Sequence, residues 1–250
     1  MKNAIVVGGS NGIGLSIVVA LKGYDTIYIV DKKELDTSFF DSDGDTKYNY
    51  IPFDLLKDDY TLFDKLDNVN TLIITAGFGR LSLFTDIKES EIEQSFQVNT
   101  IGPMRVIHHL YNKIKSNDED FYCSVMVSIS GHVSSPFFSV YSATKAALHR
   151  FVESINIELE KTESRNRILE VSPGSIKGTG FYGGKNDISQ TMPLAEEILN
   201  RMYSRETLYI PQYEEIFKNV IARYQNNPHQ FGLESYDYKV NSGRIKSKGI

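Results

Sequence analysis

The chain has 250 residues, 41% hydrophobic and 24% charged, so it can bury one substantial core and is neither disordered nor fibrous in composition. Its 27 basic and 32 acidic residues give a net charge of −5, which excludes the basic surface of a protein that binds nucleic acid or an anionic membrane. The single cysteine, Cys123, excludes an intramolecular disulfide and a cysteine-rich metal site. The N-terminal apolar run is too short for a signal sequence, and no apolar stretch reaches the ~20 residues of a membrane span, so we expect a cytoplasmic protein.

Short apolar runs rich in β-branched residues predict seven buried strands. In chain order they are Ala4–Val7, Thr26–Val30, Tyr50–Phe53, Thr71–Thr75, Ser124–Ile129, Ile168–Ser172 and Leu208–Ile210. Segments with helical periodicity separate most of them, namely Gly14–Lys22, Lys57–Leu66, Glu89–Lys115 with a break near Gly102, and Ser139–Lys161. This alternation predicts an α/β fold, a doubly wound parallel sheet with helices on both faces. Without repeats or linkers, residues 1–250 are predicted to form a single domain, less regular at Asp31–Lys47, at Gly174–Pro193 and after Pro228.

A glycine-rich turn joins the first predicted strand to the first predicted helix. Glycines permit a tight turn and a close approach of the backbone to a pyrophosphate, and the helix N-terminus offers unpaired N–H groups. The turn therefore predicts a dinucleotide site, although any strand-to-helix turn can need glycine. Its candidate cofactor contacts are Gly8, Ser10, Asn11, Gly12, Ile13 and Gly14.

Two carboxylates follow the next strands. Asp31 ends the second strand, where it can accept hydrogen bonds from the adenosine ribose and would repel a 2′-phosphate, which favours NAD. Lys32 and Lys33 could attract that phosphate, so NADP is the alternative cofactor. Asp54, which precedes Leu55, could reach the adenine or cap the helix predicted near Lys57, and both readings stay open.

A candidate acid–base pair opens the long helix after the fifth strand. Tyr141 and Lys145 are four residues apart, so they share one helix face. A nearby ammonium favours the phenolate and brings the tyrosine pKa toward neutral pH. Ser128 lies at the predicted end of the fifth strand, although it could equally serve only as a cap there.

Together these motifs resemble the classical short-chain dehydrogenase/reductase family, which has a Rossmann sheet. The family's TGxxxGxG pattern is met at Gly8, Gly12 and Gly14, with valine in place of threonine. Its YxxxK pair corresponds to Tyr141 and Lys145. The other matches are Ser128, which precedes the tyrosine by thirteen residues, Thr75-Ala76-Gly77 for the NNAG motif, Asn99 for the helical asparagine, and Pro173-Gly174-Ser175-Ile176 for the PG motif.

The resemblance implies an NAD(P)-dependent oxidoreductase that interconverts a secondary alcohol and a carbonyl on a small molecule. Tyr141 would exchange a proton with the substrate oxygen, Ser128 would hydrogen-bond that oxygen, and Lys145 would hold the nicotinamide ribose. Asn99 would fix a water that links the lysine to solvent, or would satisfy the predicted helix break. The resemblance also implies a homodimer or homotetramer. It implies further cofactor contacts at Asp54, Leu55, Ala76, Gly77, Tyr141, Lys145, Pro173, Gly174 and Ile176.

The C-terminal part departs from the family pattern. Pro211 and an amphipathic segment, Tyr213–Tyr224, follow the last strand, so residues 212–250 are predicted to form a divergent helix and a frayed tail. Residues 174–205 are predicted to be a lid region over the substrate, with a mobile loop at Ser175–Gly184.

Two other functions stay open, a non-catalytic dinucleotide sensor and an epimerase or dehydratase of the related extended family. A sensor does not need the tyrosine, lysine, serine and asparagine together, and extended relatives carry a larger C-terminal domain. No metal site is predicted, because Asp41–Asp45 departs from a calcium loop and His108 and His109 point apart on their helix. His132 is expected either to contact substrate or, more commonly for a loop histidine, to bond the backbone.

Overall fold

A computed structural model describes residues 1–40, 45–182, 186–243 and 245. Its seven strands are β1 Asn3–Val7, β2 Thr26–Asp31, β3 Lys47–Pro52, β4 Val69–Ile74, β5 Tyr122–Met126, β6 Ile168–Val171 and β7 Leu208–Tyr209. They form one sheet of order β3-β2-β1-β4-β5-β6-β7 in which every neighbouring pair is parallel. The carboxyl ends of β1, β4, β5 and β6 therefore meet along one edge, where ligands bind in open α/β sheets.

Helices cover both faces of this sheet. The helices of the described residues are α1 Gly12–Ala20, α2 Glu89–Phe96, α3 Gly102–Lys115, α4 Ser139–Lys161, α5 Ile188–Tyr203, α6 Lys218–Asn226 and α7 Pro228–Asn241. One buried cluster joins the sheet to α3 and α4 through residues such as Ile107 and Leu148. A second cluster joins the opposite face to α1 and α5 through Ile17 and Ile198. The predicted doubly wound α/β fold is confirmed.

Three predicted elements differ from the structure in ways that concern the site. The fifth strand ends at Met126 rather than Ile129, so Ser128 lies beyond the ladder. The helix predicted over Lys57–Leu66 is a 3-10 helix at Tyr60–Lys65. The break predicted near Gly102 is absent, because a π-helical turn at Gln97–Ile101 joins α2 to α3 without interrupting the helical path.

The C-terminal region is more regular than the sequence analysis predicts. Helix α5 begins inside the stretch expected to be irregular and continues past Pro193, because Ala195, Ile198 and Leu199 anchor it in the core. The predicted lid region therefore includes a core helix, and its described residues outside that helix are 174–182, 186–187 and 204–205. The tail expected to fray forms α7 as far as Asn241.

Some predicted features lie outside the described residues. These are positions 41–44 of the acidic turn, residues 183–185 of the predicted lid loop, and the tail residues 244 and 246–250. Within the described part of the chain, no helix has both the length and the apolar character needed to cross a membrane.

Candidate active site

The glycine turn brings the start of α1 against the end of β1. Gly8 has φ +87°, a conformation that side chains rarely adopt, and a Cβ there would lie 2.5 Å from the Ala76 nitrogen. A Cβ on Gly14 would lie 2.1 Å from the Gly8 carbonyl oxygen. Only glycine fits at these two positions. The close contact between α1 and β1 leaves the first N–H groups of α1 directed at the ligand-binding edge of the sheet.

Polar groups around this turn fit a dinucleotide. The Ser10 hydroxyl is buried and has no hydrogen-bond partner among the described residues, as expected of a group that awaits a ligand. The Ser10 N–H donates to one Asp31 carboxylate oxygen at 3.1 Å, and the Lys33 N–H donates to the other at 3.0 Å. Asp31 is thus fixed beside the turn, as a contact to an adenosine ribose requires. Ile13 packs on the core, and Asn11 accepts a hydrogen bond from Asn186.

Asp54 stabilises a turn and does not cap the predicted helix, because the helix begins later, at Tyr60, and its N-cap is Asp59. Its carboxylate accepts a hydrogen bond from the Leu56 N–H at 3.0 Å, and its carbonyl accepts from the N–H groups of Lys57 and Asp58. It therefore caps the turn after β3. Leu55 is buried in this turn, and its carbonyl accepts a hydrogen bond from Tyr60.

Tyr141 and Lys145 lie on one face of α4, as their spacing predicts. The Lys145 ammonium is 5.9 Å from the centroid of the Tyr141 ring. That ring packs against both Phe138 and Phe181, with centroids 5.3 and 5.5 Å away. A Cβ on Gly79 would lie 2.7 Å from the tyrosine ring, so the chain after β4 closes on it from another side. The tyrosine is thus held in an aromatic wall.

Lys145 is a buried cation. Its side chain reaches the end of β5, where Nζ donates a 2.8 Å hydrogen bond to the Met126 carbonyl, and the residue is 2% exposed. Burial lowers the pKa of this ammonium from 10.5 to about 8, because the charged form loses its hydration. The lysine is therefore close to its protonation equilibrium near neutral pH.

This burial predicts a pH-dependent stability. Above pH 8 the folded state loses the Lys145 proton while the unfolded state keeps it up to about pH 10.5, so the free energy of unfolding rises through this window. Between pH 7 and 10.5, the free energy of unfolding of the wild type is expected to rise by up to about 3 kcal/mol more than that of Lys145→Met. Denaturant unfolding of the cofactor-free protein measures this difference. Exposed Lys57→Met is the control and should show no such rise, whereas a pH-independent difference for Lys145→Met would contradict the prediction.

Asn99 lies in the π-turn and faces the loop after β4. Its amide exchanges two hydrogen bonds with the Phe78 backbone, at 2.8 and 2.9 Å, and donates a third to the Thr144 hydroxyl at 3.2 Å. A Cβ on Gly77 would lie 3.2 Å from Asn99 Oδ1 and 3.3 Å from Lys145 Nζ. The structure therefore brings Gly77, Asn99 and Lys145 together, although they come from three separate segments. Ala76 precedes this point and bonds the end of β1 through its N–H.

Ser128 caps the short turn after β5. Its hydroxyl accepts a hydrogen bond from the Ser130 N–H at 3.2 Å and donates a long one, 3.4 Å, to the Pro173 carbonyl. The same carbonyl accepts from the Ile129 N–H at 3.0 Å. These bonds join the ends of β5 and β6 at the ligand-binding edge.

The segment after β6 passes over the glycine turn. The Ile176 carbonyl accepts a hydrogen bond from the Thr179 hydroxyl at 3.0 Å, and the Thr179 side chain lies 3.8 Å from where a Cβ on Gly12 would be. Gly174 is covered by the Phe217 ring, which a Cβ there would meet at 2.5 Å. The sequence analysis missed Phe217, because no local pattern connects it to this loop.

Comparison with known proteins agrees with this geometry. The family described as short chain dehydrogenase matches residues 2–188. The chain belongs to the short-chain dehydrogenase family. An uncharacterized oxidoreductase of Saccharomyces cerevisiae is 26% identical over 196 residues, 71% of this chain and 61% of that protein. The chain thus spans about three-fifths of the length of this relative, and the match covers 59% of a second yeast oxidoreductase.

Solved structures confirm the fold. An alcohol dehydrogenase from Thermococcus sibiricus, complexed with 5-hydroxy-NADP, has a TM-score of 0.69 at 22% identity and covers 84% of this chain and 95% of its own. A short-chain dehydrogenase from Sphingobium yanoikuyae, in complex with NADPH, has a TM-score of 0.71 at 18% identity and covers 100% of this chain and 99% of its own. The family match over residues 2–188 confirms the predicted family, and these structures confirm the fold.

A cavity lies in front of Tyr141. It measures about 260 Å³, and its wall is largely apolar, with Phe78, Ile87, Phe138 and Val140 beside the tyrosine. An ion pair between Arg80 and Glu91, 2.8 Å long, borders it. A small molecule with an apolar surface next to its reacting oxygen fits such a wall.

Helix α7 holds part of this wall in place. Lys239 Nζ donates hydrogen bonds to the Ser135 hydroxyl at 2.7 Å and the Pro136 carbonyl at 2.8 Å. The Tyr236 ring stacks on Phe137 at 4.6 Å, and Phe137 has φ +65°, an unusual conformation for a phenylalanine. Contacts from a region that sequence analysis expected to fray thus fix the loop that leads into α4.

Proposed function

We propose that the chain is an NAD(P)-dependent oxidoreductase that interconverts a secondary alcohol and a carbonyl on a small molecule. The observation that carries the proposal is the placement of Tyr141 in the cavity wall, with buried Lys145 behind it on the same helix face. The names of the relatives, an oxidoreductase and an alcohol dehydrogenase, support it.

Each polar residue then has a defined task. A bound nicotinamide supplies the hydride in reduction and accepts it in oxidation. The Tyr141 hydroxyl donates its proton to the substrate oxygen as the carbonyl becomes an alcohol, and takes that proton back in the reverse direction. The Ser128 hydroxyl exchanges its long bond to Pro173 for one to the same oxygen. Lys145 stabilises the phenolate and holds the nicotinamide ribose, and Asn99 orders the water that connects this lysine to solvent.

The cofactor contacts in this proposal lie on five segments of the ligand-binding edge, at or after the ends of β1, β2, β3, β4 and β6. Ser10 and the N–H groups of the glycine turn hold the pyrophosphate, and Asp31 holds the adenosine ribose. We also propose that the described lid residues before α5, 174–182 and 186–187, close over the bound substrate. We propose as well that the protein is a homodimer or homotetramer and that it works in the cytoplasm. The remaining proposed contacts are Asn11, Ile13, Asp54, Leu55, Ala76, Gly77, Pro173, Gly174 and Ile176.

Titration of the purified chain with NADH and NADPH, followed by nicotinamide fluorescence, tests the cofactor part. Turnover on a panel of aldehydes and ketones, followed by the loss of nicotinamide absorbance, tests the reaction. Binding together with turnover supports the oxidoreductase. Binding without turnover on any compound of the panel supports the dinucleotide sensor instead, and absence of binding would contradict both.

Asp31 is expected to select NAD over NADP. Its carboxylate is fixed by two backbone N–H groups and would repel a 2′-phosphate. In Asp31→Ser the ratio of NADPH to NADH affinity is expected to rise about tenfold or more, which corresponds to roughly 1.4 kcal/mol. The control is Asp36→Ser, an exposed aspartate of the following loop. An unchanged ratio in Asp31→Ser would place the ribose elsewhere.

A further inference from the structure

A buried cluster beside the ligand-binding edge contains two histidines and a glutamate from distant parts of the chain. Glu170 Oε1 lies 2.9 Å from His132 Nε2, and Glu170 Oε2 lies 2.8 Å from His149 Nδ1. The glutamate side chain is 4% exposed, and the histidine side chains are 10% and 14% exposed. His132 was expected to contact substrate or bond the backbone, but its described partners are the Glu170 and Ser172 side chains.

We propose that His132, His149 and Glu170 form a binding site for one divalent transition-metal ion, with Zn²⁺ as the best-fitting ion. Two imidazole nitrogens and one carboxylate oxygen are a ligand set that Zn²⁺ uses in proteins, and water takes the fourth position in such sites. The three ligand atoms lie within 4.8 Å of one another, whereas tetrahedral Zn²⁺ separates its ligands by about 3.3 Å at bond lengths of 2.0–2.1 Å. Small side-chain rotations would bring them into place.

The surroundings of the cluster match those of a metal site. The Ser172 hydroxyl donates a 2.7 Å hydrogen bond to Glu170 Oε1, which is the kind of outer contact that orients a ligating carboxylate. Among the described residues, Glu170 forms ion pairs with the two imidazoles and with no lysine or arginine. A divalent cation held by the two imidazoles would add a full positive charge beside this buried carboxylate.

An ion could reach the cluster from solvent, and its binding would connect three elements of the fold. His132 lines an open cavity of about 530 Å³, distinct from the one in front of Tyr141, through which an ion could enter. The ligands come from the turn after β5, from α4 and from β6. A bound ion would therefore connect the three elements that carry Ser128, Tyr141 and the segment at Pro173.

The test uses the full chain, stripped of metal with a chelator and dialysed. It is titrated with Zn²⁺ in competition with a chromophoric chelator. In a parallel experiment Co²⁺ is added, and its visible absorption bands report a tetrahedral site. We expect one Zn²⁺ per chain, no displacement by excess Mg²⁺, and Co²⁺ bands. Removing a residue that only hydrogen-bonds a metal ligand lowers metal affinity about 10–100-fold. Because His149→Gln and Glu170→Gln each remove a ligand itself, each is expected to weaken Zn²⁺ binding at least about a hundredfold.

The controls separate loss of a ligand from loss of the fold. His229→Gln removes an exposed histidine and is expected to keep wild-type Zn²⁺ affinity and Co²⁺ bands. His132→Gln is a third ligand variant, and circular dichroism of each metal-free variant checks that it folds. Folded ligand variants that bind Zn²⁺ as tightly as the wild type, or a wild-type chain that binds less than one-tenth of an equivalent, would overturn the proposal. None of these readouts depends on turnover, so the result is independent of the proposed oxidoreductase activity.

Discussion

Tyr141→Phe is expected to lower the rate of carbonyl reduction about 10²–10⁴-fold, the range that a positioned general acid contributes. The substitution removes only the hydroxyl, and the ring keeps its packing against Phe138 and Phe181. Lys145 remains in place to hold the cofactor, so the affinity for NADH is expected to change less than about twofold. The measurement is kcat and KM on any carbonyl compound that the wild type reduces, together with NADH titration.

The matched control is Tyr111→Phe, which removes a hydroxyl from a partly buried tyrosine of α3 that packs on the core away from the cavity. Its turnover is expected to equal that of the wild type. If Tyr141→Phe keeps wild-type turnover, another group donates the proton and the proposed mechanism fails. If it loses NADH binding along with turnover, the tyrosine positions the cofactor rather than transferring a proton.

The sequence predicts the site residues whose positions depend only on helix spacing or on the steric requirements of a turn. The spacing of Tyr141 and Lys145 fixes them on one helix face, and the glycines after β1 follow from the steric needs of a tight turn. The burial of Lys145 and its bond to Met126 could not be predicted this way, because they depend on how α4 packs against β5. Spacing predicts a shared face, whereas the environment of that face is a tertiary property.

The regions that the sequence analysis described incorrectly share a physical cause. Helix α5 contains Pro193, so local propensity argued against it. Helix α7 lacks a clear apolar face, although Asn227 as N-cap and Pro228 at the first position are helix-start signals. Tertiary contacts decide these helices, through Ile198 and Leu199 for α5 and through Lys239 for α7. The His132–Glu170 contact was inaccessible for a related reason, since 38 residues separate the two side chains and no spacing rule joins them.

Gly14→Ala is expected to abolish dinucleotide binding, with at least a hundredfold weaker NADH affinity. The added Cβ would lie 2.1 Å from the Gly8 carbonyl oxygen and 2.5 Å from Thr75 Oγ1, and the first of these atoms is backbone that cannot rotate away. Helix α1 would have to move off β1, which displaces the N–H groups proposed to hold the pyrophosphate. Overpacking of this kind is also expected to lower the free energy of unfolding by about 1–3 kcal/mol.

The same substitution at Gly232 is the control for this prediction. A Cβ there meets only Ser134 Oγ at an ordinary distance of 3.7 Å, and an alanine inside α7 favours the helix. Gly232→Ala is therefore expected to bind NADH as the wild type does and to be at least as stable, which denaturant unfolding checks. If Gly14→Ala loses stability but keeps NADH affinity, the close contact between α1 and β1 serves the fold alone, and the cofactor lies elsewhere on the sheet edge. Loss of affinity well beyond the loss of stability would instead support the turn as the pyrophosphate site, because a loss of 1–3 kcal/mol leaves most molecules of an ordinary domain folded.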